Sequence, residues 1–243
     1  MEGDVDITPI AALLADASRA KVLNALGDGR ALPASVLAGE AGVSASTVSA
    51  HLAKLVDGGL LRVERHGRHR YFRFASPKVA TLLETMALLS PTAPVRSLRE
   101  GNRAQALRSA RTCYDHLAGR LGVRIMRSLL DRGAIAGGDG YFDVDDPGSD
   151  HLSGQGSEID YELTEDGQSF LDKLGVHIPP GRRRLVRYCV DWSEQQHHLA
   201  GRLGRAILDH TLREDWVRRS SARALRVTDS GRAALLEHFG IEA

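Results

Sequence analysis

The residues with the most chemistry to offer gather at two points of the chain. Cys113-Tyr114-Asp115-His116 sets a thiol and an imidazole three positions apart. On a helix that spacing puts both on one face. Cys189-Val190-Asp191-Trp192 is followed by His197-His198. Cys113, His116, Cys189 and His198 therefore form a candidate four-ligand metal set, with Asp191 and His197 beside it. Thiolate and imidazole suit zinc in a tetrahedral site. A softer metal, haem or a reactive thiol are alternatives, and so is plain packing, because an unpaired cysteine behaves as a small hydrophobe. The cofactor stays open among these readings.

What would bring the two points together is a duplication. His116-Leu117-Ala118-Gly119-Arg120-Leu121-Gly122 recurs as His198-Leu199-Ala200-Gly201-Arg202-Leu203-Gly204. Farther on, Tyr161-Glu162-Leu163-Thr164 with Gly167, Leu171 and Gly175 parallels Leu225-Arg226-Val227-Thr228 with Gly231, Leu235 and Gly240. The repeat units run from about 113 to 176 and from 189 to 241. Thr164 and Thr228 are expected to cap helices, since a threonine oxygen accepts a free helix N–H. Residues 96–136 and 168–243 read as helical. Residues 137–167, with ten Asp or Glu and no Lys or Arg, read as an acidic loop with short strands. Its Asp143, Asp145 and Asp146 lack the full spacing of a calcium loop.

The first part of the chain has a different pattern. Apolar residues from Ile10 to Leu26 recur at helical spacing and predict one amphipathic helix. A short helix is expected from Pro33 to Glu40, with Val36 and Leu37 facing inward. After the turn Ala41-Gly42-Val43, Ser44 is placed to cap a helix over 45–57, which Gly58-Gly59 stops. This order is helix, turn, helix. The second helix carries Val48, Leu52, Leu55 and Val56 on one side and Ser46, Thr47, Ser49, His51 and Lys54 on the other. Small hydroxyl residues let a helix approach a major groove and bond to base edges or phosphates. Leu60 to Arg65 and Arg70 to Phe74 then alternate as strands around a turn with Gly67. Residues 62–73 hold five Arg against one Glu. A basic hairpin placed there is a wing able to neutralise phosphates.

These residues resemble a family. Leu14 to Leu23, Val43 to Leu52, Leu55 to Leu61 and Gly67 to Phe72 are similar to the opening helix, recognition helix, helix exit and wing of ArsR-type winged-helix regulators. The resemblance covers about residues 7–90 and implies a homodimeric repressor of double-stranded DNA relieved by an effector. It implies DNA-binding roles for Ser44, Ser46, Thr47, Ser49, His51 and Lys54, with Arg65, Arg68 and Arg70 in the wing. The metal sites usual in that family are missing. Residues 32–40 contain neither Cys nor His, and residues 78–89 neither His nor Asp. Sensing is therefore expected in the long C-terminal part.

The expected fold is mainly α with a small β wing. A winged helix-turn-helix over 1–92 is followed by a mostly helical effector and dimerisation domain over 93–243, joined at the seam Ser90-Pro91-Thr92-Ala93-Pro94. Formal charge is nearly balanced, with 32 Lys+Arg against 31 Asp+Glu, which excludes a globally basic coat. Two cysteines exclude a disulfide framework, and no apolar run of membrane-spanning length is present. A cytoplasmic protein without membrane association is expected. No phosphate-binding loop, dinucleotide fingerprint or nucleophile elbow points to an enzyme. The rival reading is a winged helix used for protein interaction, or a metal- or haem-binding module without specific DNA binding.

Overall fold

A computed structural model describes residues 4–91, 94–141, 159–220 and 223–243. Asp143, Asp145 and Asp146, and Thr92 and Ala93 of the seam, lie outside the described residues. The chain forms two compact units, Met1–Ala80 and Thr81–Ala243. The division falls inside helix α5 (Pro77–Leu89), ahead of the proline seam.

The first unit contains α1 (Thr8–Leu14), α2 (Ala17–Ala25), β1 (Leu32–Pro33), α3 (Ala34–Ala41), α4 (Ala45–Asp57), β2 (Leu61–His66) and β3 (His69–Phe74). The single first helix expected from periodicity is two helices. Asp16 is extended, and its carboxylate accepts from the backbone N–H groups of Ser18 and Arg19, both at 2.9 Å. Those donors have no partner inside a new helix, so the side chain starts one where hydrophobic spacing shows no break. On α3, Leu37 is buried but Val36 is 43% exposed, so only one of the two points inward. Leu23, Leu26, Leu37, Leu52, Leu55 and Phe72 make the core. The sheet order is β1-β3-β2, with Leu32 beside Phe72. Alternation over residues 60–74 found β2 and β3 but not the short third strand.

In the second unit α6 (Leu98–Ser109) precedes two copies of one arrangement. The first is β4 (Arg111–Cys113), β5 (His116–Ala118), α7 (Gly119–Asp131), β6 (Ile135–Ala136), β7 (Glu162–Leu163) and α8 (Glu165–Leu174). The second is β8 (Arg187–Val190), β9 (His197–Ala200), α9 (Gly201–Arg213), β10 (Val217–Arg219), β11 (Leu225–Val227) and α10 (Asp229–Phe239). Helix is the main regular element of the unit, as expected, but residues 111–118 are a hairpin and not part of a helix. Tyr114 turns the chain at φ +57, and Gly119 has φ +71. A Cβ on Gly119 would lie 2.7 Å from the carbonyl oxygen of Arg108, so only glycine fits. Thr164 and Thr228 cap α8 and α10 by accepting from the N–H groups of Gly167 and Gly231.

The copies interlock. Helix α7 packs on β9 and α9 on β5. Leu225 donates to the carbonyl of Ala110 at 2.9 Å, and His197 donates to that of Gly140 at 3.0 Å. A Cβ on Gly204 would lie 3.2 Å from the Cβ of His116, and one on Gly122 would lie 3.5 Å from that of His198. What demands glycine there is the strand before each helix, since a Cβ on Gly122 would lie 2.5 Å from the carbonyl oxygen of Leu117 and one on Gly204 2.5 Å from that of Leu199. Leu121, Ile125 and Met126 of α7, Leu203 and Ile207 of α9, and Tyr188 fill the shared core. Among the described residues no helix is long and apolar enough to cross a membrane.

Candidate functional site

Helix α4 begins at Ser44, which is extended and whose hydroxyl accepts from the N–H of Thr47 at 3.1 Å. The same oxygen lies 2.9 Å from Ser46 Oγ and 2.8 Å from Thr47 Oγ1, which ties three hydroxyls into one cluster at the helix start. Ser49 donates to the carbonyl of Ala45 at 2.8 Å. Val48, Leu52 and Leu55 are buried and fix the helix on α2 and α3. Ser44, Ser46, Thr47, Ser49 and Lys54 are exposed together with Ala50 and Ala53. His51 departs from the expected groove-facing set. It is half-buried, with Nε2 3.9 Å from a carboxylate oxygen of Asp16.

In the wing, Arg62 faces Arg73, Arg65 faces Arg70 and His66 faces His69 across β2 and β3. Glu64 accepts from both Arg62 and Arg73 at 3.2 Å. Arg65, Arg68 and Arg70 are exposed and have no carboxylate within ion-pair reach among the described residues. Like charges directly opposite on a sheet are destabilising, so the wing tip holds an uncompensated cationic surface.

In the second unit Cys113, His116, Cys189 and His198 come together. All four are buried, and their candidate ligand atoms lie within 4.8 Å of one another. The geometry differs from the one-helix-face expectation. Cys113 is the cross-strand neighbour of His116, and Cys189 that of His198. The ring centroids of His116 and His198 stand 5.2 Å apart. Each copy thus supplies one thiol and one imidazole from one hairpin. His197 turns away, its Nδ1 2.8 Å from the hydroxyl of Tyr161.

Two carboxylates back this cluster. Asp115 lies 3.3 Å from His116 Nδ1 and also pairs with Arg183. Asp191 lies 3.4 Å from His198 Nδ1 and binds Arg111 at 2.9 Å. It also accepts from the N–H of Gly119 at 2.7 Å. Arg111 is further held by Ser193 Oγ at 3.1 Å and lies over the Trp192 ring. Among the described residues, His116 Nε2 and both ring nitrogens of His198 have no hydrogen-bond partner.

Burial opposes charge at His116, but Cys113 and Asp115 outweigh it and bring its pKa to about 9. At His198 burial prevails and holds the pKa well below the ordinary histidine range. A hydrogen bond with Cys189, then burial, push the Cys113 thiol well up. Burial would raise both carboxylates. His116 and Arg183 instead draw Asp115 down to about 2, and Arg111 and His198 hold Asp191 below the carboxylate range.

Residues 14–64 match the helix-turn-helix domain family. Over 241 residues the chain is 40% identical to YdfF, an HTH-type transcriptional regulator of Bacillus subtilis, covering 98% of each. The chain belongs to the HTH-type transcriptional regulators. Similar solved structures include the homodimeric winged helix-turn-helix DNA-binding domain of a possible ArsR-family regulator from Mycobacterium bovis. That domain is 28% identical, over 37% of this chain and 89% of that one, with a TM-score of 0.32. The cadmium sensor CMTR from Mycobacterium tuberculosis is 29% identical, over 37% of this chain and 98% of that one, with a TM-score of 0.29.

The helix and hairpin that carry the predicted hydroxyl and arginine residues, α4 and β2-β3, are readable from spacing, but of the carboxylates and cations that back the Cys/His cluster only Asp191 is. Arg111 and Asp115 lie outside the predicted set, although the duplication offers a signal for Arg111: Arg111 and Arg187 each stand two residues before a repeat cysteine. Two arginines of the run Arg182-Arg183-Arg184 pair with carboxylates, Arg183 with Asp115 and Arg184 with Asp160. Trp216 is core, stacked on His238 and edge-on to His210.

Proposed function

We propose that this regulator binds a palindromic duplex operator as a homodimer, represses transcription there, and is released by an effector held in its second unit. One observation carries the DNA reading: the exposed hydroxyl cluster at the start of α4 is followed by a wing whose Arg65, Arg68 and Arg70 have no acidic partner among the described residues. Hydroxyls at a helix start serve base edges and phosphates, and the arginines displace counterions from the duplex. Four exposed large apolar residues, Met86, Leu89, Val95 and Leu98, support self-association. Two-fold symmetry in the protein then requires it in the operator.

Support for effector binding comes from a cleft of about 490 Å³ whose lining includes Arg124, Arg226, Arg232, Leu121, Val227 and Ile241. That lining suits an anion with an apolar body. Mobility shifts with the duplex upstream of the regulator's own gene test the proposal. Binding should exceed that to a scrambled duplex by about 1,000-fold or more. Equal binding to both would overturn it.

A further inference from the structure

We propose that Cys113, His116, Cys189 and His198 bind one zinc-class divalent ion, forming a structural centre that joins the two repeat copies. The proposal goes beyond the DNA-binding reading and does not depend on it.

Geometry is the first ground. Zinc–sulfur bonds of about 2.3 Å and zinc–nitrogen bonds of about 2.0 Å place tetrahedral ligand atoms roughly 3.3–3.8 Å apart. The four candidate atoms lie within 4.8 Å of one another, so they need approach by only about 1 Å. A space that size takes a bare ion. The second ground is the unpaired ring nitrogens. Buried polar atoms find partners in nearly all native proteins, yet His116 Nε2 and both nitrogens of His198 have none among the described residues. Packing alone would leave them so, whereas a cation satisfies one on each ring.

The surroundings add a third ground. Metal-binding histidines present their second nitrogen to a carboxylate or carbonyl, which fixes the ring and raises its basicity. Asp115 is hydrogen-bonded to Nδ1 of His116 at 3.3 Å, and Asp191 stands 3.4 Å from Nδ1 of His198, near but not hydrogen-bonded to it. Both carboxylates have cations of their own, Arg183 and Arg111. They add no net charge, so two thiolates balance a divalent ion. Binding removes one proton from each cysteine, forms two metal–sulfur and two metal–nitrogen bonds, and changes no oxidation state.

Four buried protein ligands leave no open position, which marks a structural rather than a catalytic centre. Each copy contributes one cysteine and one histidine, so the ion holds the hairpins β4-β5 and β8-β9 together. The effector then belongs elsewhere in the unit.

The test uses the full chain, purified under reductant without chelator. Elemental analysis should find about one zinc per chain, as a closed site of this type requires. After chelation, titration with Co(II) should give thiolate charge-transfer and tetrahedral d–d bands that saturate at one equivalent and vanish on adding Zn(II). Cys113→Ser and Cys189→Ser should each weaken Co(II) binding by more than about 100-fold, beyond the loss typical of supporting residues. His116→Cys guards against variants that fail to fold. It should keep the ion with three thiolates and strengthen the charge-transfer band. A wild-type chain that holds no zinc and develops no thiolate charge-transfer band with Co(II) overturns the proposal. So does full Co(II) affinity in the Cys113→Ser/Cys189→Ser double variant. Both readouts are made without DNA, so failure of operator binding leaves them intact.

Discussion

Asp191 and Arg111 pair at 2.9 Å with both side chains fully withdrawn from water. The pair joins the loop after β8 of one copy to β4 of the other, and the same carboxylate holds the first N–H of α7. Removing one partner of a buried pair leaves an uncompensated charge. Asp191→Ala should therefore destabilise the second unit by about 3–5 kcal/mol. Both tryptophans, Trp192 and Trp216, lie in that unit, so urea unfolding followed by their fluorescence reads it directly. A midpoint within error of wild type would refute the load assigned to this pair. Asp191→Ala/Arg111→Met should recover only part of the loss, because Gly119, Ser193 and Glu194 also donate to Asp191.

The same substitution should have opposite signs at two glycines. A Cβ on Gly231 would lie 2.0 Å from the carbonyl oxygen of Trp216, so Gly231→Ala forces α10 off its strand. The cost should be about 1–3 kcal/mol in tryptophan-detected unfolding. Gly39, inside α3, has nothing within 4 Å of its would-be Cβ. Gly39→Ala should raise the melting midpoint of the first unit, followed by far-ultraviolet circular dichroism, with a gain of about 0.4–1 kcal/mol. Loss of stability at Gly39 would mean that α3 is packed there more closely than described.

Much of this fold was readable because its signals are local. Ser44 marks the start of α4, Gly59 at φ +71 its end and Gly67 at φ +60 the wing turn, each through one residue's backbone or capping chemistry. The Cys/His cluster was readable only through duplication, since no local rule joins residues 113 and 189. Its geometry is not legible there, because strands of three residues are too short to display a period. Spacing three apart fits a helix face as well as it fits neighbours across a tight hairpin. Tyr114 at φ +57 decides between them, and no side-chain pattern announces a tyrosine in that conformation. The split between α1 and α2 was hidden in the same way, by hydrophobic spacing that continues past the Asp16 cap.

Ser44 has two separable roles, and charge distinguishes them. Ser44→Ala removes the acceptor for Thr47 N–H and should cost about 1 kcal/mol of first-unit stability. Ser44→Asp keeps a capping oxygen and should preserve stability. Its negative charge would face the phosphates, so operator affinity in mobility shifts should fall at least as far as for Ser44→Ala. Full affinity in Ser44→Asp would remove this end of α4 from the DNA interface.

Arg65 and Arg70 bear on the wing because they face each other without the glutamate that Arg62 and Arg73 share. Like charges in that register work against the free hairpin, by about 0.2–1 kcal/mol. On the proposed DNA reading, a duplex would relieve the repulsion by placing phosphates against both side chains. Arg65→Thr should therefore hold or slightly raise thermal stability while weakening operator binding. It should also reduce the slope of log affinity against log salt by about 0.9, the value for one lost phosphate contact. Repeating the mobility shifts across a salt series measures that slope. A variant less stable than wild type with an unchanged slope would show that Arg65 serves the hairpin and not the DNA.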